Sequence, residues 1–374
     1  IWLRGQEERA AKGILEPDRL KKLKTLGFSW KSLEERAKWY ENHKRDLPFR
    51  NTSDPYKIWL SEIMLQQTQI KTAIPYYKRW IERMPTLEHV VKTKEEDLLK
   101  LWEGLGYYNR LHNFYKAVTV VFNEYSGVIP NNYDKFSLLP GVGKYTAAAV
   151  LSIAYQKPYP AIDVNIKRVL ARYLGIKNFT VFNKKKISNI LNLSIKKFNP
   201  GQFNQAIMEV GALVCSPRRP SCLRCPITNN CKAYLSKNPE EYPTRPKKKA
   251  KPHYHVAAGL IWRGETFYIQ KRKSSGMLPG LWEFPGTKKR KGEGLQNALK
   301  RGIQKDCGIS IKIRNKIGKV HHAYSHFSIT FHGFNCIEKR KKIVNSNKSD
   351  WICKTEFNKY TFPKANHKLL KLIN

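Results

Sequence analysis

The chain reads as two folded domains of different class, an all-α domain over about residues 33–235 and a smaller α+β domain over 253–374. Three observations predict this. From about Ser32 to Leu235 the apolar residues recur almost wholly at helical spacing. Residues 236–252 (SKNPEEYPTRPKKKAKP) are rich in Pro and Lys and poor in apolar side chains, which marks a linker. Beyond it HYHVAAGLIWR, ETFYIQKR and the 319–337 region alternate or run apolar, with one helical stretch near Leu295–Lys305. At 374 residues, each domain is long enough to bury its own core.

Composition narrows the partners. The hydrophobic share of 41% excludes a disordered chain. Against 29 acidic residues stand 70 basic ones, a net charge of +41, which implies a polyanionic partner, although a lysine-rich proteome would give the same balance. Residues 237–374 alone carry 31 Lys and Arg against 9 Asp and Glu, so this domain too is expected to face nucleic acid. No run of 18 apolar residues is present to span a bilayer, and no secretory leader is legible. The expectation is a monomer in a reducing intracellular compartment, cytoplasm or nucleoid.

Residues 1–32 read as two short helices broken near Pro17, a helical extension with no assignable role. Asp54-Pro55 is a helix start, with Asp as N-cap and Pro at the first helical position. On the run that follows, Ile58, Glu62, Leu65, Gln66 and Gln69 fall on one helical face. A carboxylate among apolar neighbours is costly unless partnered or functional, and for Glu62 alone a capped or ion-paired core residue is the better account. LWEGLGYYNR (101–110) sets two glycines before paired tyrosines, a loop that either presents aromatics to bases or packs them at a helix start.

Leu139-Pro140-Gly141-Val142-Gly143 is a tight hairpin joining two helices, the second starting near Lys144. Glycines allow close backbone approach to a phosphate, and a helix N-terminus offers free N–H groups. With the small-residue helix TAAAVLSIA behind it, the stretch reads as a helix–hairpin–helix grip on DNA. It closes on a lone carboxylate, Asp163. Cys215, Cys222, Cys225 and Cys231 follow, four of the seven cysteines. Such clustering points to metal ligation rather than disulfides. The x6, x2, x5 spacing lacks the two close pairs usual for zinc and favours a 4Fe–4S cluster. Arg218, Arg219, Arg224 and Lys232 around it suit a loop lying near phosphates.

Taken together, RDLPFR (45–50), DPYKIWLSEIMLQQTQI (54–70), WEGLGYYNR (102–110), LPGVGKYTAAAVLSIAY (139–155), DVNIKRVL (163–170), FNQAIMEVGALVC (203–215) and the cysteine pattern resemble the adenine DNA glycosylases of the MutY type. LWEFPG (281–286) and HAYSHF (322–327) resemble the Nudix-like domain that these enzymes use to examine 8-oxoguanine. The resemblance implies a helix–hairpin–helix glycosylase core with an iron–sulfur cluster loop, then a small α+β Nudix-like domain. It implies double-stranded DNA bearing adenine opposite 8-oxoguanine or guanine as substrate. By this resemblance Glu62 is the general acid for a flipped adenine and Asp163 stabilises the oxocarbenium-like sugar. Tyr145 and Asn165 position these groups and the water. Gln67, Leu105 and Tyr107 fill or buttress the vacated gap, and Tyr324, Ser325 and His326 contact the 8-oxoguanine. The residue types fit independently, because glycosidic cleavage commonly uses two carboxylates, and the acid needs a raised pKa.

The related endonuclease III-type enzymes carry an amine nucleophile where this chain has Tyr145, and Lys144 is turned about 100° away along a helix. A glycosylase without lyase chemistry is therefore expected. A bifunctional glycosylase/lyase and a non-catalytic lesion-binding protein are the competing readings. Val164, Phe49 and Tyr324 depart from the commoner Gly, Trp and Phe of the family. In the Nudix box, Gly302 and Lys305 stand where a hydrolase needs glutamates, while Glu293 and Arg301 align, so recognition rather than hydrolysis is expected of that domain.

Overall fold

The structure is a computed structural model describing residues 38–245, 250–273, 276–339 and 348–373. The expected extension over 1–32 and part of the linker lie outside the described residues. The described residues form two compact units, and the chain crosses between them. The first runs up to Glu62 and resumes over Ile129–Lys247; the second takes Ile63–Val128 and continues from Lys248.

After helical residues 38–43, the helices in chain order are α1 (Pro55–Leu65), α2 (Ile70–Arg83), α3 (Leu87–Lys92), α4 (Glu95–Trp102), α5 (Asn109–Glu124), α6 (Tyr133–Ser137), α7 (Lys144–Tyr155), α8 (Val164–Leu174), α9 (Val181–Ile195), α10 (Pro200–Leu213) and α11 (Lys232–Leu235). The expected start of α1 is observed: Asp54 Oδ1 accepts the Tyr56 N–H at 2.9 Å. Its expected continuation through Gln69 is not, because the helix stops at Leu65 and Gln67 turns left-handed at φ 56°. Gln66 and Gln69 therefore leave the helical face that carries Glu62. The exposed carbonyls at this end are met by a side chain instead of another turn: Arg110 Nη1 donates to the carbonyls of Ile63 (3.0 Å), Met64 (2.7 Å) and Gln66 (2.6 Å).

In the first unit α8, α9 and α10 share a core of Ile166, Val169, Leu170, Tyr173, Ile187, Leu191, Ile207 and Val210, all on apolar stripes of helical period. Each such side chain contributes about 2 kcal/mol by leaving water. Asn199 caps α10 through its Oδ1 and the Gln202 N–H, with Pro200 at the first position. The segment expected as linker is partly held. Residues 239–241 make a 3-10 turn, the Tyr242 carbonyl accepts Arg172 Nε at 3.0 Å, and the Thr244 N–H donates to the Lys177 carbonyl at 2.8 Å.

In the second unit Trp80 of α2 meets Trp102 of α4 and Phe114 of α5 edge-on, 5.7 and 6.3 Å between ring centres. Its C-terminal part is a mixed sheet of β1 (His253–Arg263), β2 (Thr266–Lys271), β3 (Trp282–Glu283), β4 (Gly286–Lys288), β5 (Ile311–Ala323), β6 (Ser328–Glu338) and β7 (Ser349–Cys353). Its order is β3-β2-β1-β6-β5, with β4 on β1 and β7 on β2; only the β1–β6 pair is parallel. The expected 319–337 strand region is thus the end of β5, a turn at 324–327, and β6. Helix α12 (Leu295–Cys307) covers one face through Leu299 and Ile303, and α13 (Lys364–Leu370) the other through Leu369.

Candidate active site

Asp163 is the N-cap of α8. Its Oδ1 accepts the Ile166 N–H at 2.6 Å and its Oδ2 accepts Asn165 Nδ2 at 2.8 Å. Asn165 Oδ1 in turn accepts Arg168 Nη2 at 2.9 Å, which fixes the orientation of the amide. Arg168 is anchored on the Gly211 and Cys215 carbonyls, each at 2.7 Å. Asn165 lies so close to α10 that a Cβ on Gly211 would stand 2.6 Å from Asn165 Cβ. A glycine is needed there for the carboxylate support to form.

Glu62 comes from α1, and Tyr145, in the first turn of α7, donates its hydroxyl to it. Glu62 is partly accessible as a residue, but its carboxyl lies in desolvated surroundings. Burial pushes its pKa up to about 7; the Tyr145 bond and the charge of Arg50 pull it down, and Asp163 pushes it up. Tyr145, with its pKa well above the usual phenol value through burial and the two carboxylates, stays a donor. The mutual influence of Glu62, Tyr145 and Asp163 brings the three expected groups to one place.

Glu209 of α10 completes the electrostatics. It is fully buried, and Arg45 Nε reaches its Oε1 at 2.6 Å while Arg50 Nη2 contacts its Oε2. Despite burial, these arginines hold its pKa down to about 2. Arg50 is thereby paired with Glu209, and its remaining pull on Glu62 does not offset burial.

The hairpin has the expected form. Gly141 is left-handed at φ 75°, Gly143 caps α7 without a side-chain partner for the helix amides, and Gly141, Gly143 and Lys144 are exposed. Val142 is buried and anchors the turn. Lys144 faces solvent while the neighbouring Tyr145 enters the site.

Cys215, Cys222, Cys225 and Cys231 are half-buried, unpaired thiols that line one pocket with Arg172, Ile227 and Thr228. Arg172, itself buried, places Nη1 3.3 Å from Cys215 Sγ. Backbone N–H groups of Ile227, Ala233 and Tyr234 point at Cys225 and Cys231. Among the described residues no three metal-ligating side chains are close enough to share one ion.

The remaining expected contacts belong to the second unit. Gln67 is exposed, and Tyr107 is 36% exposed and left-handed at φ 51°. Leu105, in contrast, is buried, so it braces the loop from within instead of presenting itself to a base gap. Ser325 and His326 are exposed at the β5–β6 turn, and Tyr324 is half-buried against Phe327 and His322.

Sequence reasoning missed Glu209, Arg110, Arg168 and Gly211. Glu209 carried the same signal as Glu62, a lone acid on an apolar helix face. The partners of Arg110, and two of the three partners of Arg168, are backbone carbonyls, which leave no residue pattern.

Two family models match the chain: "HhH-GPD superfamily base excision DNA repair protein" over residues 60–197 and "NUDIX domain" over 257–372. The adenine DNA glycosylase of Buchnera aphidicola subsp. Schizaphis graminum is 38% identical over 78% of this chain and 83% of its own length. That of Mus musculus is 32% identical over 78% of this chain and 68% of its own. Among solved structures, a thermostable thymine-DNA glycosylase aligns at 30% identity and a TM-score of 0.51, covering 55% of this chain and 95% of its own. Two carboxyls around a buried phenol, a helix–hairpin–helix turn and a mixed sheet are thus accompanied by likeness over 78% of the chain, and the chain is an enzyme belonging to the adenine DNA glycosylase family.

Proposed function

We propose that this enzyme removes adenine mispaired with 8-oxoguanine or guanine in double-stranded DNA, without cleaving the strand. The observation that carries the reading is the Glu62–Tyr145–Asp163 constellation, with a carboxyl raised to about 7 beside a second carboxylate. The target base leaves the stack, at a cost of a few kcal/mol, and Gln67 and Tyr107 enter the gap. Glu62 gives its proton to N7 of the flipped adenine, and the C1′–N9 bond breaks with its electron pair on the base. Asp163, held by Ile166 and Asn165, faces the sugar cation. Water then adds at C1′ and its proton returns to Glu62.

Absence of strand cleavage is supported by Tyr145, which offers no amine, and by the outward placement of Lys144. The exposed Gly141, Gly143 and Lys144 would hold a phosphate at the α7 amides. Residues 33–235 perform excision, and residues 253–374 read the opposite base through Tyr324, Ser325 and His326. Recognition without nucleotide hydrolysis is supported by Glu293, whose two oxygens both bond Arg301 at 2.7 and 2.9 Å.

Cys215, Cys222, Cys225 and Cys231 would hold a 4Fe–4S cluster, and the pocket they share fits it. The x6, x2, x5 spacing lacks the two close pairs usual for zinc, and N–H groups aimed at the sulfurs of Cys225 and Cys231 suit a cluster. When bound, the cluster supplies a rigid brace for the basic loop around Arg218, Arg219 and Arg224.

No described helix is long and apolar enough to cross a bilayer. The deciding measurement is single-turnover adenine release from duplexes with adenine opposite 8-oxoguanine or guanine, with borohydride trapping in parallel. Release without a trapped adduct is expected; a trapped amine adduct would establish the bifunctional reading, and intact DNA after long incubation the non-catalytic one.

A further inference from the structure

Glu103 closes α4 immediately before the Gly104–Tyr107 loop. Its Oε1 accepts His367 Nε2 of α13 at 2.9 Å and the Phe362 N–H at 2.8 Å, and its Oε2 accepts Lys100 Nζ at 2.7 Å. Lys100 Nζ also donates to the Tyr360 carbonyl at 2.9 Å. Burial alone would raise the carboxyl's pKa, but the bonds from His367, Lys100 and Phe362 outweigh it and hold the group ionised.

At the other side of α13, Leu369 occupies the place of a side chain on Gly333 of β6, where an added Cβ would stand 2.4 Å from Leu369 Cδ1. Lys368 Nζ donates to the His321 carbonyl of β5 at 2.9 Å. These strands carry the turn with Tyr324, Ser325 and His326. Helix α13 is therefore a strut with the base-gap loop at one side and the opposite-base reader at the other.

We propose that Glu103, through His367, is a positioning residue that sets discrimination by the opposite base. This rests on the reading of the 8-oxoguanine contacts above. Glu103 aligns the reader turn with the Gly104–Tyr107 loop, so that a base pushed across by Tyr107 meets Tyr324 and Ser325 in register. Other contacts keep the sheet attached when this one is lost: His112 Nε2 approaches the Pro279 carbonyl at 3.1 Å and Lys271 pairs with Glu96. Removing Glu103 re-aims the reader without releasing it.

The test uses the full, cluster-loaded chain and measures single-turnover adenine release opposite 8-oxoguanine and opposite guanine. Glu103→Ala and His367→Ala are expected to lower the ratio of the two rates by about tenfold, the scale of one lost charge-assisted hydrogen bond, with the rate opposite guanine unchanged. Glu103→Gln keeps an oxygen that accepts from Phe362 and His367 and should retain the ratio. His367 is partly exposed, so its substitution serves if Glu103→Ala melts early. An unchanged ratio in both alanine variants, or equal losses on both duplexes, overturns the proposal alone. A wild-type enzyme that does not distinguish the duplexes overturns the underlying reading and the proposal with it.

Discussion

The hydroxyl of Tyr145 donates to the Glu62 carboxyl, and this bond is one of two influences that lower a pKa otherwise raised by burial. Tyr145→Phe removes it. In the proposed role of general acid Glu62 must be protonated, so activity is expected below its pKa and should fall as pH rises through about 7. With the bond gone the pKa climbs, and the basic limb of the pH–rate profile should move up by about one unit, from a charge-assisted bond of about 1.5–3 kcal/mol and 1.36 kcal/mol per unit. A profile of single-turnover rates over pH 5–9 (roughly) shows this directly. An unmoved limb would remove Tyr145 from the electrostatics of Glu62.

A raised carboxyl also costs stability. The folded chain binds the Glu62 proton more tightly than the unfolded chain, whose carboxyl titrates near 4.5. Stability therefore declines as pH rises from 4.5 to about 7, and the full penalty stands above that. Glu62→Gln, which still accepts from Tyr145, should be inactive and yet more stable than wild type by about 3 kcal/mol at high pH. The gain should vanish in acid. Urea midpoints at several pH values check both the sign and the window.

Asp163→Asn separates charge from architecture. An asparagine oxygen can still cap α8 by accepting the Ile166 N–H, so the helix start survives. What is lost is the negative charge proposed to face the sugar cation. Excision should fall by at least about 10²–10³-fold, the scale for removing one preorganised electrostatic group. Binding to a mismatched duplex should persist, as gel shift would show. Near-wild-type release would end the assigned role of Asp163.

The division into a helical part and a mixed sheet, the start of α1 and the hairpin were legible because each rests on local grammar: a change of apolar period, an Asp-Pro cap, a Pro-Gly-x-Gly turn. The end of α1 was not. Its helical pattern runs on through Gln69, and only Arg110, 45 residues away in sequence, explains why the chain turns at Gln67. The support of Asp163 was hidden for a similar reason, since Gly211 matters through what is absent there. Nor does the linear order show that Ile63–Val128 groups with the C-terminal sheet, because that grouping depends on His112, Glu96, Lys100 and Glu103 meeting residues more than 160 positions away.

Glu209 tests whether the pKa of Glu62 is set at a distance. In the wild type Glu209 holds Arg45 and Arg50, and Arg50 is also felt by Glu62. Glu209→Gln leaves both guanidinium charges unbalanced, so Arg50 favours the ionised form of Glu62 more strongly and its pKa falls. The basic limb of the pH–rate profile should move to lower pH, opposite in sign to the change for Tyr145→Phe. Breaking a buried ion pair also destabilises by about 3–5 kcal/mol, so rates must be taken well below the melting transition of the variant. Because the low pKa of Glu209 contributes stability above 4.5 and loses it only towards about 2, the stability deficit should be flat from neutral pH down to about 5. A limb that moves up, or a deficit that vanishes near neutrality, would show that Arg50 acts on Glu62 by some route other than its charge.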